Sequence, residues 1–470
     1  MSALQYFQSE GVNTYISPTL QDGLLIHAVN VVSEPYGAKS KRSGYIPYLG
    51  IANGLIPDSL WSYRNDTNSA FYTYRKSGSL VYYSTDGTGD WLPAINGTVS
   101  ATSRIGAATF DNTMLIGDAV GSTRHTTNGT AFTNTTLAPP SNDFAVYQNR
   151  MYAKGTASDV FYSTTNDATN WNTSGTSDSN SFKATGEGVL RTIFKASDRI
   201  VQGKTGGGML KWDGYQQIDM STNFGPSSQW SKAQSEDYWF WINQFGHYGY
   251  AGGKPQLLSN AVQRQFYNRD NTGISGTMIN QIQATCHKYD YLAAIGTVTD
   301  DFTRKTIPDA ILKYDFQKNE YLNWQFAHFP QSFHSYKDKN NVQQLIFGAS
   351  GGQVYQLSGT ATSDAGEPIS SEMIYVFSFG APEFQKTWKW FRGIFNPGCQ
   401  AKVQYACSDS YQPAFLQWVD GKDASSGICE FRFQSGSQSL FLFIRIYESS
   451  INSRYTYLGC SIDADIEVKK

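Results

Sequence analysis

Charge is what this sequence has least of. Asp, Glu, Lys and Arg make up 16% of its 470 residues, where a typical soluble domain carries about a quarter. The 37 Lys and Arg nearly cancel the 39 Asp and Glu, for a formal net charge of -2. Bulk attraction to nucleic acid or to a membrane surface is thereby excluded as an argument, although a locally lined channel would not show in such a sum. No apolar run approaches the ~18 residues needed to span a bilayer. The opening Met1-Ser-Ala-Leu-Gln5 lacks the basic-then-apolar pattern of a signal peptide, so synthesis and folding in a cytoplasm are expected, with no membrane partner. Cysteine is scarce too: Cys286, Cys399, Cys407, Cys429 and Cys460 are odd in number and form no Cys-x-x-Cys, which points to buried free thiols. His27, His125, His247, His287, His328 and His334 show no ligand spacing, so neither a metal nor a cofactor is expected. Without a secretory signal, the Asn-x-Ser/Thr tripeptides at Asn65, Asn96, Asn128, Asn134 and Asn172 are simplest as turn asparagines.

What is abundant is aromatic side chains, 15% of the chain, and glycine, at 43 residues. Tyr, Phe, Thr and Val suit a pleated, half-buried surface, and Asn-Gly, Asp-Gly and Ser-Gly pairs punctuate hairpins. The chain also repeats itself. Tyr82-Tyr-Ser-Thr-Asp-Gly-Thr-Gly-Asp-Trp91 returns as Phe161-Tyr-Ser-Thr-Thr-Asn-Asp-Ala-Thr-Asn-Trp171, with a shorter copy at Thr126-Thr-Asn-Gly-Thr-Ala-Phe132. Simpler forms follow around Asp213, Gly252, Asp315 and Ser358. Each mark trails a short apolar strand, such as Ala70–Tyr74, Thr113–Gly117, Arg150–Ala153, Arg199–Gly203, Tyr238–Ile242, Tyr291–Ile295 and Gln344–Gly348. A period of about 40 to 45 residues is the length of one four-stranded propeller blade.

These marks predict an all-β chain: a β-propeller of about seven blades over residues 56–360, preceded by an N-terminal arm, 1–55, that wraps the propeller or completes a blade. A polar linker, 361–372, and a small C-terminal β-sandwich or barrel, 373–470, follow it. The longer gap before Asp315, containing Asn268-Arg-Asp-Asn-Thr-Gly273, suggests an insertion at a blade edge, and 260–266 could hold a short helix. A pair of β-sandwiches would also supply short, regularly spaced strands, but would not predict the repeated phrase.

The repeated phrase nearly matches the Asp-box of sialidase-type propellers. Ser84, Asp86 and Trp91 match, whereas Thr88 and Asp90 stand where Gly and Thr belong. Acid and hydroxyl close a turn there and Trp packs between strands, so Ser84, Asp86, Trp91, Asn128, Asn166, Trp171 and Asp213 are assigned as structural turn residues. Asp213, Asp237, Asp290 and Asp309 are the acids a glycosidase reading would examine, but turn or surface roles account for them, and no catalytic residue is named. Gly206-Gly-Gly-Met209 lacks a following Gly-Lys-Ser/Thr and is a hairpin tip rather than a phosphate cradle. Trp230, Trp239 and Trp241, with Tyr238 and Tyr248, are propeller core or, alternatively, a sugar-stacking platform. Lys39, Lys41 and Arg42 form the densest basic run: an exposed turn, or a contact to a partner or a DNA backbone.

Three stretches carry a family likeness. Gly11-Val-Asn-Thr14, Ser17-Pro18, Asp22-Gly23, Ala28-Val-Asn-Val31 and Gly37-Ala-Lys-Ser-Lys-Arg-Ser-Gly-Tyr45 resemble the opening of tail-associated structural proteins of tailed bacteriophages. Ile193 to Gly203, followed by Leu210-Lys-Trp-Asp-Gly214, is similar to the central blades of short-tail nozzle proteins, and Leu440 to Ile446 with Leu458 to Ile462 to their closing strands. The resemblance implies a non-enzymatic virion protein that is assembled in the host cytoplasm. It would form a homo-oligomeric ring, commonly a hexamer, below the portal and adaptor; double-stranded DNA would pass through its lumen without sequence specificity, and fibres or a needle would be anchored on it. The alternative is a glycan-binding or glycan-cleaving propeller at a distal tail tip.

Overall fold

The computed structural model describes residues 2–7, 23–50, 53–67, 69–174, 177–197, 199–221, 223–236, 238–266, 273–300, 305–379, 381–411, 415–435 and 437–467. Seven antiparallel sheets follow one another around an axis. Five are self-contained four-stranded blades, and their strands occupy 57–98, 106–134, 144–183, 190–221 and 233–257. The sixth is built from Gln283–His287, Asp290–Thr299, Thr306–Asp315 and Glu320–Gln325. The seventh has only three consecutive strands, Pro330–Lys337, Gln343–Ala349 and Val354–Leu357. Its fourth is Tyr45–Pro47 from the N-terminal region, which pairs antiparallel with Val354–Leu357. The ring is thus closed by a strand from the region before the first blade.

All seven apolar segments that precede the marks are second strands of blades, and the marks fall at the ends of the third strands. Both facts follow from periodicity: second strands are covered on both faces by neighbouring blades, and so are continuous in Ile, Leu, Val and Tyr. Met114, Leu115, Ile116, Met151, Ile200, Val201, Trp241, Ile242, Tyr291, Ile295, Ile346 and Phe347 are all fully buried. Within the first blade Trp61 stacks on Tyr74; at the seams, Phe194 meets Trp239 and Trp241, and Phe71 stacks on Tyr336 across the first and seventh blades. The long interval is an insertion between the fifth and sixth blades, with a 3-10 helix at Ser259–Gln265 and one α-helical turn at Gly276–Ile279. Asn268 to Asn271 of that insertion lie outside the described residues.

The C-terminal region forms a β-sandwich, but not alone. One sheet combines Lys386–Phe395, Ile428–Arg432 and Thr456–Ile466 with Ser2–Phe7, Val31–Ser33 and Lys39–Lys41. The other places Leu24–Val29 beside Ser371–Phe377, then Phe441–Glu448, Lys402–Ser408 and Val419–Asp423. Val29 pairs with Asn323 on the outer strand of the sixth blade, so a single nine-stranded sheet runs from the propeller axis into the sandwich. Between the two sandwich sheets lies one core that includes Trp388, Phe391, Leu442, Ile444, Ile446, Cys429, Cys460 and Ile462. The described residues of 1–55 do complete a blade, through Tyr45–Pro47, but instead of wrapping the propeller as an arm the rest supply sandwich strands, so the propeller is inserted within the sandwich.

The segment read as a polar linker is also structured. Ser363–Asp364 and Glu367–Pro368 form a small hairpin at the edge of the seventh blade, with Asp364 beside Tyr45. Gly44 is required at this crossing because a Cβ there would lie 1.8 Å from the Ser363 carbonyl oxygen. Among the described residues no helix is long and apolar enough to cross a membrane.

Candidate functional site

The antiparallel order gives the propeller two distinct faces. Turns from first to second and from third to fourth strand share one face; second-to-third turns and blade-to-blade connections share the other.

The turn residues all lie on the first of these faces. Asp86 takes φ 53° between Leu80–Thr85 and Thr88–Thr98. Its carboxylate accepts from the Phe71 amide at 3.2 Å, while Ser84 Oγ donates to the Thr88 carbonyl at 2.8 Å. Asn128 Oδ1 accepts from the Thr130 and Ala131 amides, each at 3.0 Å. Asn166 has φ 60° and donates its amide to the Asn149 carbonyl. Asp213 accepts from the amides of Tyr215 and Gln216, which hold its carboxyl below the usual carboxylate range. Trp91 and Trp171 are buried, and Trp171 donates to the Ala168 carbonyl at 2.8 Å. These side chains mimic backbone partners in tight turns.

Lys39, Lys41 and Arg42 are neither an exposed turn nor placed for a DNA backbone. Each is only 1% exposed, and each meets a carboxylate from a distant element. Lys39 pairs with Glu320 of the sixth blade, and Lys41 lies 3.2 Å from Glu448 of the sandwich. Arg42 grips Asp364 with both terminal nitrogens, at 2.7 and 2.6 Å, while its guanidinium sits 4.7 Å above the Phe326 ring. Burial pushes both lysine ammoniums down, and the carboxylates pull back. The run is a lock joining sixth blade, seventh blade and sandwich. A charge run without sequence neighbours of opposite sign looks solvated; here its partners lie about 280 to 410 residues away in the chain.

The other singled-out residues are dispersed. Asp290 bonds Lys313 at 2.6 Å, Asp309 occupies an irregular strand with φ 54°, and Asp237 lies outside the described residues. Trp241 and Tyr248 are core between the fourth and fifth blades, whereas Tyr238 is 55% exposed. The five cysteines are free thiols, and burial raises their pKa values, that of Cys429 to about 11. Of the N-terminal likeness, residues 11–18 and Asp22 fall outside the described residues.

The second face carries what the sequence did not single out. Near the starts of the first strands, Lys76 meets Asp58 at 2.5 Å within the first blade, while Asp143 stitches neighbouring blades through Lys232 and Thr192 Oγ1. The Lys204 ammonium is capped by the Thr185 and Gly186 carbonyls at 2.6 and 2.5 Å. Two clefts flank the turn at Gly206. One, of about 130 Å³, is lined by Arg191, Ser227, Asn243, Gln244, Phe245 and Asn280. The other, of about 460 Å³, has Met209, Leu210 and Met220 with Glu187 and Asp219. The Gly206–Gly208 tip was visible in the sequence; Arg191, one cation in a buried strand, gave no signal.

No family model matches the chain, and no curated protein matches it. Solved structures do. They include YCF48 bound to D1 peptide, 11% identical over 70% of this chain and 97% of that one (TM-score 0.42). BamB from Moraxella catarrhalis is 11% identical over 75% of this chain and 97% of that one (TM-score 0.38). At such identities the likeness concerns fold alone, and the class it accompanies is the all-β propeller described above.

Proposed function

We propose that the protein is a non-enzymatic structural component of a phage tail, a nozzle or tail-hub subunit. In this reading it assembles as a homo-hexameric ring that continues the DNA channel below the head-tail adaptor, retains the genome and anchors fibres or a needle. The observation that supports it best is the union of propeller and sandwich through a shared sheet and the buried Lys39–Arg42 lock, which suits a subunit that must bear load without hinging. A chain with only 16% charged residues also suits permanent interfaces, whose cores are depleted in charge. Any DNA contact belongs to residues other than Lys39, Lys41 and Arg42. Mass photometry at micromolar concentration, with mass spectrometry of purified virions, tests the reading. A ring of defined mass in virions is expected; a persistent monomer absent from virions overturns it.

A further inference from the structure

Among the described residues of the face that carries the clefts, some buried cations are matched by partners, while Arg191, Lys154 and Arg104 make no hydrogen bond or ion pair with a described residue. Lys76 has Asp58, Lys232 has Asp143, and Lys204 has its carbonyls. Arg191, on the first strand of the fourth blade, has none: its Nε is shut off from solvent without a hydrogen-bond acceptor. Leaving such a group unpaired costs about 1–3 kcal/mol or more for a charge, so it calls for an explanation. The Lys154 side chain, half-buried nearby, likewise makes no hydrogen bond or ion pair with a described residue. Burial and the neighbouring Lys232 and Arg191 charges depress its pKa against the pull of Asp143.

No carboxylate lines the Arg191 cleft; its other polar groups are the hydroxyl of Ser227 and amides such as Gln244 and Asn280. A planar guanidinium matches a carboxylate bidentately through its two terminal nitrogens, and these, rather than the occluded Nε, are the donors a bound carboxylate would meet. Across the Gly206 turn, the larger cleft is lined by Met209, Leu210 and Met220 with Glu187 and Asp219, and by Lys204, whose ammonium is taken up by the Thr185 and Gly186 carbonyls. Those two acids disfavour a second anion there and favour an apolar group. Around both clefts stand exposed apolar side chains, Val189 at 51% and Phe245 at 40%, and the same face carries Val120 and Leu137.

We propose that this face docks an acidic segment of a protein partner, with a carboxylate in the Arg191 cleft and an adjacent apolar side chain in the Met209–Met220 cleft. The pairing of one cationic pocket with one acid-rimmed apolar pocket selects alternation of acid and apolar residue, which a uniform polyanion such as DNA or polyuronate does not offer. The inference stands independently of the tail reading.

The test is fluorescence anisotropy on the full chain with a labelled peptide alternating Asp and Leu. Its Asn/Leu counterpart, a short DNA duplex and an oligogalacturonate serve as comparisons. The Asp/Leu peptide is expected to bind, more weakly as salt rises. Arg191→Gln should weaken it roughly tenfold or more, with Arg191→Lys intermediate because it keeps charge and loses the fork. Lys154→Gln should weaken it by a smaller factor. Equal binding of the Asn/Leu peptide, tighter binding of DNA or galacturonate, or indifference to both Arg191 variants in chains that melt like the parent overturns the proposal.

Discussion

Removing the Arg42 side chain should be among the most damaging single changes available in this molecule. Its guanidinium donates five hydrogen bonds: to Asn30 Oδ1 at 2.8 Å, the Ser43 carbonyl at 3.0 Å, the Gln325 carbonyl at 2.6 Å, and Asp364 twice. After Arg42→Ala the Asp364 carboxylate stays buried, left with the Ala327 amide at 3.2 Å. Breaking a buried pair from one side costs about 3–5 kcal/mol. With unfolding entropy near 2.1 cal/mol/K per residue, a loss of about 4 kcal/mol lowers the melting temperature by roughly 4 °C if all 470 residues unfold together. If a sandwich of about 150 residues unfolds on its own, the same loss lowers it by roughly 13 °C. Differential scanning calorimetry separates the two cases by the size and number of transitions. The double variant Arg42→Met with Asp364→Leu should recover most of the loss, because both charges are gone. Melting of Arg42→Ala within about 1 °C of the parent in every transition, or a double variant no better than the single one, refutes the lock.

Three further outcomes follow from the same geometry. Burial holds His247 and His334 neutral, with pKa values lowered to about 3 and about 4 from 6.5. The unfolded chain therefore takes up protons first, and stability should fall as pH drops below 6.5, by up to about 1.4 kcal/mol per pH unit per histidine until each folded value is reached. His27 opposes this: burial would lower its pKa, but Asp300 at 2.9 Å prevails and raises it, so its contribution is complete below 6.5 and is lost as pH climbs through the raised value. Urea midpoints from about pH 9 down to about 4.5 check both, the upper half for His27 and the lower half for His247 and His334, and a lower-half slope unaltered by His334→Gln would count against the assignment. Gly44→Ala should cost about 3 kcal/mol or more, whereas Gly253→Ala, where a Cβ meets nothing within 4 Å, should be nearly silent in the same denaturation curves. At Asp86, Asn should be tolerated within about 0.5 kcal/mol and Val should cost about 1–2 kcal/mol, since a β-branched residue resists positive φ; equal stabilities would remove the turn role.

The parts of the fold legible in the sequence were those set by short-range chemistry. Asp86, Asn128, Asn166 and Asp213 bond within a few residues or to the adjacent hairpin, so the turn phrase survives as a readable repeat. Second strands betray themselves by unbroken apolar runs. What stayed hidden was pairing across most of the chain: Tyr45–Pro47 with Val354–Leu357, Leu24–Val29 with Ser371–Phe377, and the partners of Lys39, Lys41 and Arg42. Strand propensity says that a segment wants a neighbour, not which one. Arg191 was invisible for a related reason: its oddity lies in lacking a partner, a property of three-dimensional surroundings that its flanking Leu190 and Thr192 do not advertise.

The nesting of propeller within sandwich sets an order on biosynthesis. Leu24–Val29 emerges from the ribosome early, yet the strand it pairs with begins at Ser371. At about 5–20 residues per second, that is a wait of roughly 20 to 70 s for a segment apolar at every position but His27, with an open edge. Over that interval the blades can assemble one by one, but the strand that must seal the second domain stays unsatisfied. The nascent chain is thus most exposed to mispairing before its last hundred residues appear, and a slow ribosome or a missing chaperone should be felt there first.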